Sequence, residues 1–314
     1  MSDYQFESAA VIGTGMMGPG IAVTLAVGGL PVTILSRKEE GAQKGLEKAR
    51  DILASLAQNE LVPGDQVEAI GARLSASTAL DEVTAKVDLI VESAPENLGF
   101  KQQLFAHLDR FARPSTVLTS NTSGISITAI ATPCRHPERI LTTHFWNPPH
   151  LIPLVEVVLG GRTAPAAAQA VKETLQRCGK MPVIVKKDTP GQLGNRLQMA
   201  LWREAVHIVS QGIADVEDVD NAIKASFGMR MPVYGIFEHA DAVGLDMVSG
   251  IMEYVSSDLF SEKHAPHLIH DKVRKGDLGK KSGRGFYDWS NKDFDEIIRK
   301  RDKFLVEMLR RKTD

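Results

Sequence analysis

Short hydrophobic runs alternate with longer amphipathic stretches through the first part of the chain. The runs lie at 9–12, 32–35, 87–91, 115–119, 140–141, 154–158 and 183–185. Their length, and the glycine, serine or charged residues around them, predict buried β-strands. Between them, apolar residues recur at helical spacing over 16–27 and 40–59. Strands that alternate with helices are typical of an open, parallel, doubly wound sheet.

The pattern changes at 186–191, where Lys-Lys-Asp-Thr-Pro-Gly interrupts the periodicity and predicts a linker. Only helical spacing follows it, over 197–209, over 215–225, and over a further pair of helices that meet at Gly244. The sequence therefore predicts an α/β N-terminal domain over 1–187, with a Rossmann-like doubly wound sheet. An all-α C-terminal domain is predicted over 188–314.

Composition and charge narrow the class of protein. Of 314 residues, 43% are hydrophobic and 24% charged, and the formal net charge is −2. This balance is typical of a globular protein with about two domains, and it does not indicate a nucleic-acid or anionic-membrane partner. The basic tail at 293–311 is therefore expected to present a solvated face packed against a partner subunit. An apolar run such as 21–30 is shorter than the roughly 20 residues that a transmembrane helix needs.

The cysteine content bears on metal binding and on location. Cys134 and Cys178 are the two cysteines, and they lack metal-ligand spacing, so no metal site is expected. Both fit a reducing compartment, where thiols act as small buried hydrophobic groups. The N-terminus lacks the basic segment and apolar run of a signal peptide. We therefore expect a cytoplasmic protein.

A glycine-rich turn follows the first predicted strand. Gly13-Thr14-Gly15-Met16-Met17-Gly18 fits the G-x-G-x-x-G fingerprint between a strand and a helix. Gly13 permits the tight turn, Gly15 lets a pyrophosphate approach the helix N-terminus, and Gly18 lets the helix pack on the strand. Met16 and Met17 fill the variable positions and are expected beside the cofactor. The alternative is a turn that is merely rich in glycine.

The end of the second predicted strand indicates which dinucleotide is bound. NAD sites usually place Asp or Glu there to accept a hydrogen bond from the ribose 2′-hydroxyl. This chain has Ser36 and Arg37, and the first acid is Glu39. A hydroxyl and a guanidinium suit a 2′-phosphate, so we expect use of NADP(H) or of both cofactors. The alternative is that Arg37 stacks on the adenine and NAD still binds.

A carboxylate and a histidine flank a proline-containing loop. Glu156 lies in the apolar run 154–158, and an unpaired buried carboxylate is energetically costly. His144 precedes the loop and is the natural partner, on a neighbouring strand end. A histidine held by a buried carboxylate is a tuned general base. The alternative is an ion pair of the core without a chemical role.

Polar residues follow two more of the predicted strands. Glu96 and Lys101 come after 87–91, and Ser120-Asn121-Thr122-Ser123-Gly124 comes after 115–119. Strand C-termini face the ligand crevice of an open parallel sheet, so these residues are candidates for ligand contacts. The alternative for the charged pair is a solvated helix start, and for the polar cluster an ordinary turn.

Six motifs in order along the chain carry a family resemblance. They lie at 13–18, 95–97, 120–123, 144–156, 188–196 and 283–287. Together they resemble the L-3-hydroxyacyl-CoA dehydrogenase family, which includes the lambda-crystallin/L-gulonate dehydrogenase and carnitine dehydrogenase branch. The resemblance covers nearly the whole chain, from about Ala9 to Trp289. It implies an NAD(P)-dependent oxidoreductase, a role in fatty acid metabolism, and a homodimer formed through the helical domain.

The resemblance also implies a role for each candidate residue. His144 is the base and Glu156 orients it. Ser123 hydrogen-bonds the reacting oxygen, and Asn195 contacts the substrate carbonyl. Asn147 supports the nicotinamide site. The positions that contact the cofactor in the family are matched by Glu96, Lys101, Asn121, Ser123 and Lys281.

The chemistry of the residues agrees with these roles. Oxidation of a secondary alcohol requires a proton to be removed as hydride leaves, which a histidine performs near neutral pH. Glu156 favours one tautomer of the ring and stabilises the imidazolium that forms. Ser123 and Asn195 provide fixed donors where negative charge grows on oxygen.

Local departures from the acyl-CoA members bear on the substrate. Those members carry Ser and Lys on the second helix to hold the CoA, where this chain aligns Gly45 and Ile52. Pro153 stands where the family often has a basic residue. The Asn-Pro-Pro-His-Leu-Ile-Pro loop is closer to the gulonate and carnitine branch. Arg196 and Arg230 are candidates to hold a free carboxylate, or they are structural arginines.

Three functions follow from the sequence. The first is a dehydrogenase of a 3-hydroxyacyl-CoA, and the alternative is the same chemistry on a free small hydroxy acid such as a sugar acid or carnitine. The third is a non-enzymatic, crystallin-like protein, against which the complete set of His144, Glu156, Ser123 and Asn195 argues.

Overall fold

The computed structural model describes residues 4–311, and their N-terminal part contains an eight-stranded sheet. The strands are β1 Ala9–Ile12, β2 Val32–Leu35, β3 Leu74–Ser77, β4 Leu89–Glu92, β5 Val117–Ser120, β6 Ile140–Phe145, β7 Leu154–Leu159 and β8 Met181–Val185. Their order across the sheet is β3-β2-β1-β4-β5-β6-β7-β8. Neighbours are parallel except for β6 and β7, which are antiparallel.

The strand order reverses beside β1, because β2 lies on one side of it and β4 on the other. Such a topological switch point opens a crevice at the strand C-termini, where doubly wound proteins bind ligands. Since β7 runs against β6, the beginning of β7 lies at the same edge of the sheet as the end of β6. The candidate residues on both strands are therefore brought to that edge.

Seven helices accompany the strands within the described part of the sheet region. They are α1 Gly18–Val27, α2 Glu39–Gln58, α3 Val67–Ala72, α4 Leu80–Thr84, α5 Leu98–Phe111, α6 Ile127–Ile130 and α7 Pro165–Arg177. The first of them was expected from Met16. It begins at Gly18, because 13–17 form the glycine turn and Pro19 occupies the first helical turn.

After β8 the described chain is helical. The helices are α8 Gly194–Ser210, α9 Val216–Ala225, α10 Phe227–Arg230, α11 Ile236–Val243, α12 Leu245–Ser256, α13 His267–Arg274 and α14 Phe294–Arg310. A Rossmann-like sheet followed by a helical region is the predicted fold class, which is confirmed. Within 4–311, no helix is long and apolar enough to cross a bilayer.

The described residues divide into two compact units. Residues 4–196 and 299–311 form the first unit, and Leu197–Ile298 form the second unit. The compact units run differently from the predicted domains, since 188–196 and 299–311 belong with the sheet. The domain division after residue 187 stays a prediction.

The core of the first unit fills both faces of the sheet. Ala9 and Val11 of β1 belong to one cluster of buried apolar side chains, and Ala10 between them belongs to another. This alternation is what a strand covered on both faces requires. Cys134 and Cys178 are unpaired and buried, as predicted for thiols that act as hydrophobic groups.

The tail helix contacts the core of its own chain, and the packing of its solvated face on a partner subunit stays a prediction. Val306 of α14 is buried in the core of the first unit, and Leu305 and Leu309 pack against the same cluster. Arg310 donates a hydrogen bond to the Asn59 carbonyl at the end of α2, at 2.8 Å. The apolar side of this helix therefore lies on its own chain.

Strand β3 is absent from the sequence prediction. Its Leu-Ser-Ala-Ser sequence has no hydrophobic run, because it is an edge strand with one paired neighbour. Its polar side chains contact β2, where Ser75 Oγ lies 3.1 Å from Thr33 Oγ1. A polar strand of this kind is recognised only from its place in the sheet.

Candidate active site

The glycine turn after β1 is fixed by close backbone packing. Gly13 has φ +120°, and a Cβ there would lie 2.3 Å from the Ser93 carbonyl oxygen. A Cβ on Gly18 would lie 1.9 Å from the Gly13 carbonyl oxygen. Any larger residue at either position would displace the backbone of the turn.

The middle glycine differs, because a Cβ on Gly15 would meet nothing within 4 Å. Open space beside the backbone at the start of α1 fits a diphosphate, which binds there through free N–H groups. Of the two variable residues, Met16 is exposed, whereas Met17 is half-buried and packs against the core. The turn therefore fits a dinucleotide cofactor, and contact with Met16 and Met17 stays a prediction.

The end of β2 presents a cation. Ser36 is half-buried, with its backbone N–H bonded to the Ser77 carbonyl at 3.2 Å. Arg37 is exposed and has no ion-pair partner within 4–311. Its guanidinium is therefore free to meet an anion.

A buried ion pair lies below the ends of β4 and β5. Glu92 and Lys101 are both buried, and the Lys101 ammonium lies 2.7 and 2.8 Å from the two Glu92 oxygens. Ser120 donates a hydrogen bond to the same carboxylate at 2.5 Å. Lys101 also lies 3.6 Å from Glu96. Lys101 thus acts on the site through two carboxylates, and a direct cofactor contact stays a prediction.

Glu96 holds the loop that carries Ser123. One carboxylate oxygen accepts hydrogen bonds from Thr122 Oγ1 at 2.5 Å and from the backbone N–H groups of Ser123 and Gly124 at 3.2 Å each. Burial opposes ionisation, but the Thr122 hydrogen bond, the charge of Lys101 and the two N–H groups together lower the pKa of Glu96. The hydroxyl of Ser123 is exposed and has no hydrogen bond within the described chain.

Asn121 hydrogen-bonds the ends of the two strands that neighbour β5, namely β4 and β6. Its side-chain oxygen accepts from the Phe145 N–H at 2.8 Å, and its amide group donates to Ser93 Oγ at 3.3 Å. Phe145 adjoins His144. Asn121 therefore fixes the strand end on which the histidine lies, and its cofactor contact stays a prediction.

His144 and Glu156 lie directly opposite each other on the antiparallel strands β6 and β7. The His144 Nδ1 and the Glu156 Oε2 are 2.7 Å apart, and both side chains are buried. A carboxylate only accepts hydrogen bonds, so Nδ1 carries the proton and Nε2 keeps its lone pair. Nε2 makes no hydrogen bond within 4–311. The predicted pairing of these two side chains is present.

Glu156 accepts three further hydrogen bonds. Trp146 Nε1 lies 3.0 Å from Oε2, and the backbone N–H groups of Leu193 and Gly194 lie 2.8 and 2.9 Å from Oε1. Burial alone would raise the pKa of Glu156, but these four hydrogen bonds, led by that of His144, lower it to about 2. The carboxylate is therefore ionised at neutral pH.

The remaining predicted residues are distributed as follows. Asn195 lies in the first turn of α8, and its amide donates to the Ser123 carbonyl at 3.1 Å. Asn147 is exposed at the start of the loop after β6. Lys281 belongs to the second unit, in the 3₁₀ turn Lys280–Ser282. The roles of these three residues stay predictions.

Comparison with known proteins identifies the family. Residues 8–189 match the model of the 3-hydroxyacyl-CoA dehydrogenase NAD-binding domain, and residues 191–289 match that of the C-terminal domain. The chain belongs to the 3-hydroxyacyl-CoA dehydrogenase family. It is therefore an enzyme of an NAD-dependent oxidoreductase family that acts on CH–OH groups.

Relatives in this family have different substrates in their names. The 5-formyl-3-hydroxy-2-methylpyridine 4-carboxylate 5-dehydrogenase of Mesorhizobium japonicum is 32% identical, with 97% of each chain covered. The probable 3-hydroxybutyryl-CoA dehydrogenase of Bacillus subtilis is 37% identical over 92% of this chain and 99% of its own. A solved 5-formyl-3-hydroxy-2-methylpyridine 4-carboxylic acid 5-dehydrogenase, described as an NAD⁺-dependent dismutase, has a TM-score of 0.89, 30% identity and 98% coverage of both chains.

Several hydrogen-bonding groups of the candidate site were not predicted from the sequence. Trp146 lies two residues after His144, a spacing that places both side chains on one face of an extended chain and could have indicated it. Glu92 directly follows the predicted strand 87–91, and no role was predicted for it. The N–H groups of Leu193 and Gly194 have no side-chain signal, because their position depends on where α8 begins.

The four hydrogen bonds predict the effect of Glu156→Gln. An amide has one acceptor oxygen, so two of the four donors would face an NH₂ group. We expect a loss of about 2–6 kcal/mol in the free energy of unfolding, because each buried donor left without an acceptor costs about 1–3 kcal/mol. The matched control is Glu138→Gln, because the Glu138 carboxylate lies 3.3 Å from His136 Nδ1 but is half exposed, and exposed pairs contribute little.

The stability difference between the wild type and Glu156→Gln should depend on pH. The pKa of Glu156 is lowered in the folded state, so its stabilisation is present above the usual carboxyl value of 4.5 and is lost as the pH falls towards 2. The difference in Tm between wild type and Glu156→Gln should therefore shrink over that interval. Thermal unfolding at several pH values measures it, and a difference that stayed constant down to pH 2 would contradict the assignment.

Proposed function

We propose that this enzyme interconverts the hydroxyl and keto forms of a small free hydroxy acid, with His144 as the general base. The observation that carries the proposal is the 2.7 Å hydrogen bond between His144 Nδ1 and Glu156, which leaves Nε2 free to accept a proton. The exposed Ser123 hydroxyl supports it, because it is available to the reacting oxygen.

The proposed reaction divides the two hydrogens of the alcohol between different acceptors. The nicotinamide cofactor supplies the hydride acceptor for the hydrogen on carbon. His144 Nε2 takes the hydroxyl proton, and Glu156 stabilises the imidazolium that results. Ser123 donates a hydrogen bond to the oxygen as it becomes a carbonyl. In the reverse direction His144 returns the proton.

The second helix supports a substrate without CoA. Gly45 of α2 is buried, and a Cβ there would lie 2.6 Å from the Thr14 side chain. Ile52, the other aligned position, packs against the hydrophobic core. Neither position offers the polar group that holds CoA in the resemblance drawn above. The full-length match to the pyridine carboxylate dehydrogenase supports the same choice.

The second candidate is a 3-hydroxyacyl-CoA substrate, the first function that the family resemblance implies, together with a role in fatty acid metabolism. The 37% identity to the probable 3-hydroxybutyryl-CoA dehydrogenase favours it.

On the free-acid proposal, Arg196 and Arg230 are the candidate partners of the carboxylate. Arg196 donates to the Pro190 carbonyl at 3.2 Å, and Arg230 lies 2.9 Å from His239 Nε2.

Turnover of acetoacetyl-CoA and of a panel of free keto acids separates the two candidates. We expect kcat/KM for the best free acid to exceed that for acetoacetyl-CoA by at least about tenfold, a difference that polar contacts readily supply. Higher kcat/KM with acetoacetyl-CoA would reverse the choice of substrate. His144→Gln should lose roughly 10²–10⁴-fold in kcat with either substrate, and His136→Gln, which removes a histidine beside a surface carboxylate, should lose none. Full activity of His144→Gln would rule out the proposed base.

The cofactor preference is a further proposal, since the family comparison supports NAD binding only. We propose that the enzyme accepts NADP(H), because Ser36 and Arg37 follow β2, Arg37 has no ion-pair partner within 4–311, and no carboxylate lies between β2 and Glu39. Arg37→Ala should lower kcat/KM for NADPH about tenfold and leave that for NADH unchanged, as loss of one phosphate contact predicts. The matched control is the neighbouring cation, Lys38→Ala. A strong preference of the wild type for NADH would refute the proposal.

The exposed apolar residues of the second unit support a homodimer. No side chain on the helices from α9 to α13 is buried, and Phe237 and Tyr254 are each 85% exposed. Apolar surface of this extent marks an interaction site. We propose that a second copy of this chain covers it. Light scattering at micromolar concentration should give twice the mass of the chain, and a monomer would contradict the proposal.

A further inference from the structure

Gln192 has an unusual backbone conformation. Its φ is +52°, and the preceding Gly191 has φ +76°. Within the described chain, Glu60 is the other non-glycine residue with positive φ. A side chain in the left-handed region is strained, and such strain persists where the surroundings impose it. Glycine, which is free of this strain, does not occupy the position.

The side chain of Gln192 carries a second cost. It is 6% exposed, and its Nε2 donates a hydrogen bond to the Thr122 carbonyl at 3.0 Å. Its Oε1 is buried and has no hydrogen-bond partner in the described part of the chain. Exchanging the two atoms would bring an acceptor against the Thr122 oxygen, so the orientation is fixed by chemistry. A buried acceptor without a partner destabilises the folded state.

The strained backbone and the unpaired oxygen of Gln192 lie in a segment that contacts both parts of the proposed catalytic site. On one side, Gln192 and Asn195 donate to the carbonyls of Thr122 and Ser123. On the other side, the N–H groups of Leu193 and Gly194 hold Glu156. The four-residue segment 192–195 therefore hydrogen-bonds both the serine loop and the carboxylate that holds His144.

We propose that Gln192 is a positioning residue that sets the distance between the Ser123 hydroxyl and the His144–Glu156 pair. The inference rests on the proposed function of those three residues. The left-handed backbone turns the side chain towards Thr122 while the next two N–H groups face Glu156. A relaxed residue without this side chain would leave the serine loop bonded to the segment through Asn195 alone.

Gln192→Met separates a positioning role from an ordinary structural one. Methionine keeps the length of the side chain but removes both the Thr122 hydrogen bond and the unpaired oxygen. We expect kcat to fall at least about tenfold, as one transition-state hydrogen bond supplies, while KM for the cofactor stays within about twofold. The Tm should change by less than about 5 °C, because the variant removes one unsatisfied acceptor, the Gln192 oxygen, and creates another, the Thr122 carbonyl. A residue that only stabilises the fold would lose Tm and activity together.

Gln102→Met is the matched control. Gln102 Nε2 also donates to a backbone carbonyl, that of Ala129, at 2.8 Å, and lies outside the proposed site. This variant should keep the wild-type kcat. A second variant, Gln192→Gly, relieves the backbone strain but also removes the Thr122 hydrogen bond, and it should lower kcat as well. Wild-type kcat in Gln192→Met, or a Tm loss above about 5 °C in both Gln192 variants, would overturn the proposal.

His144→Gln, assayed with the same substrate, distinguishes failure of the positioning role of Gln192 from failure of the proposed function. If it loses activity and Gln192→Met does not, the positioning role fails and the proposed function stands. If it keeps full activity, the base assignment fails, and with it the reason to place Gln192 in the site.

Discussion

The structure of the site depends on a buried carboxylate that needs four hydrogen-bond donors. Glu156 lies in an apolar strand, where an unpaired charge would be far more costly than any single contact could offset. The donors come from two places in the chain: His144 and Trp146 at the end of β6, and the backbone N–H groups at the start of α8. Satisfying one charge therefore fixes a strand pair, the loop after β6 and the entry to a helix.

This requirement also determines the chemistry of the histidine. An ionised Glu156 can only accept, so it keeps the proton on Nδ1 and leaves Nε2 as the basic nitrogen. The positive end of the α8 helix dipole lies at the other carboxylate oxygen and stabilises its charge. Glu96 uses the same arrangement at the serine loop, where backbone N–H groups and a buried lysine hold a carboxylate. Two carboxylates thus position His144 and the Ser123 loop separately.

Much of this arrangement could be predicted from the sequence, because it follows from hydrophobic periodicity and from the energetic cost of an unpaired buried charge. The hydrophobic runs predicted the positions of most strands along the chain. The lone charge of Glu156 required a partner such as His144. The direct opposition of these two residues could not be predicted, because register depends on the antiparallel pairing of β6 with β7. Gln192 carries no sequence signal at all, since its role depends on a backbone angle. Lys101 was predicted at the cofactor, but its burial against Glu92 depends on how α5 packs.

The central claim is that Glu156 fixes the Nδ1–H tautomer of His144, and ¹⁵N NMR of the imidazole tests it directly. In the neutral ring, the Nδ1 resonance should have the chemical shift of a protonated nitrogen and Nε2 that of an unprotonated one. In Glu138→Gln the two shifts should be unchanged. A His144 ring protonated on Nε2 in the wild-type enzyme would contradict the account.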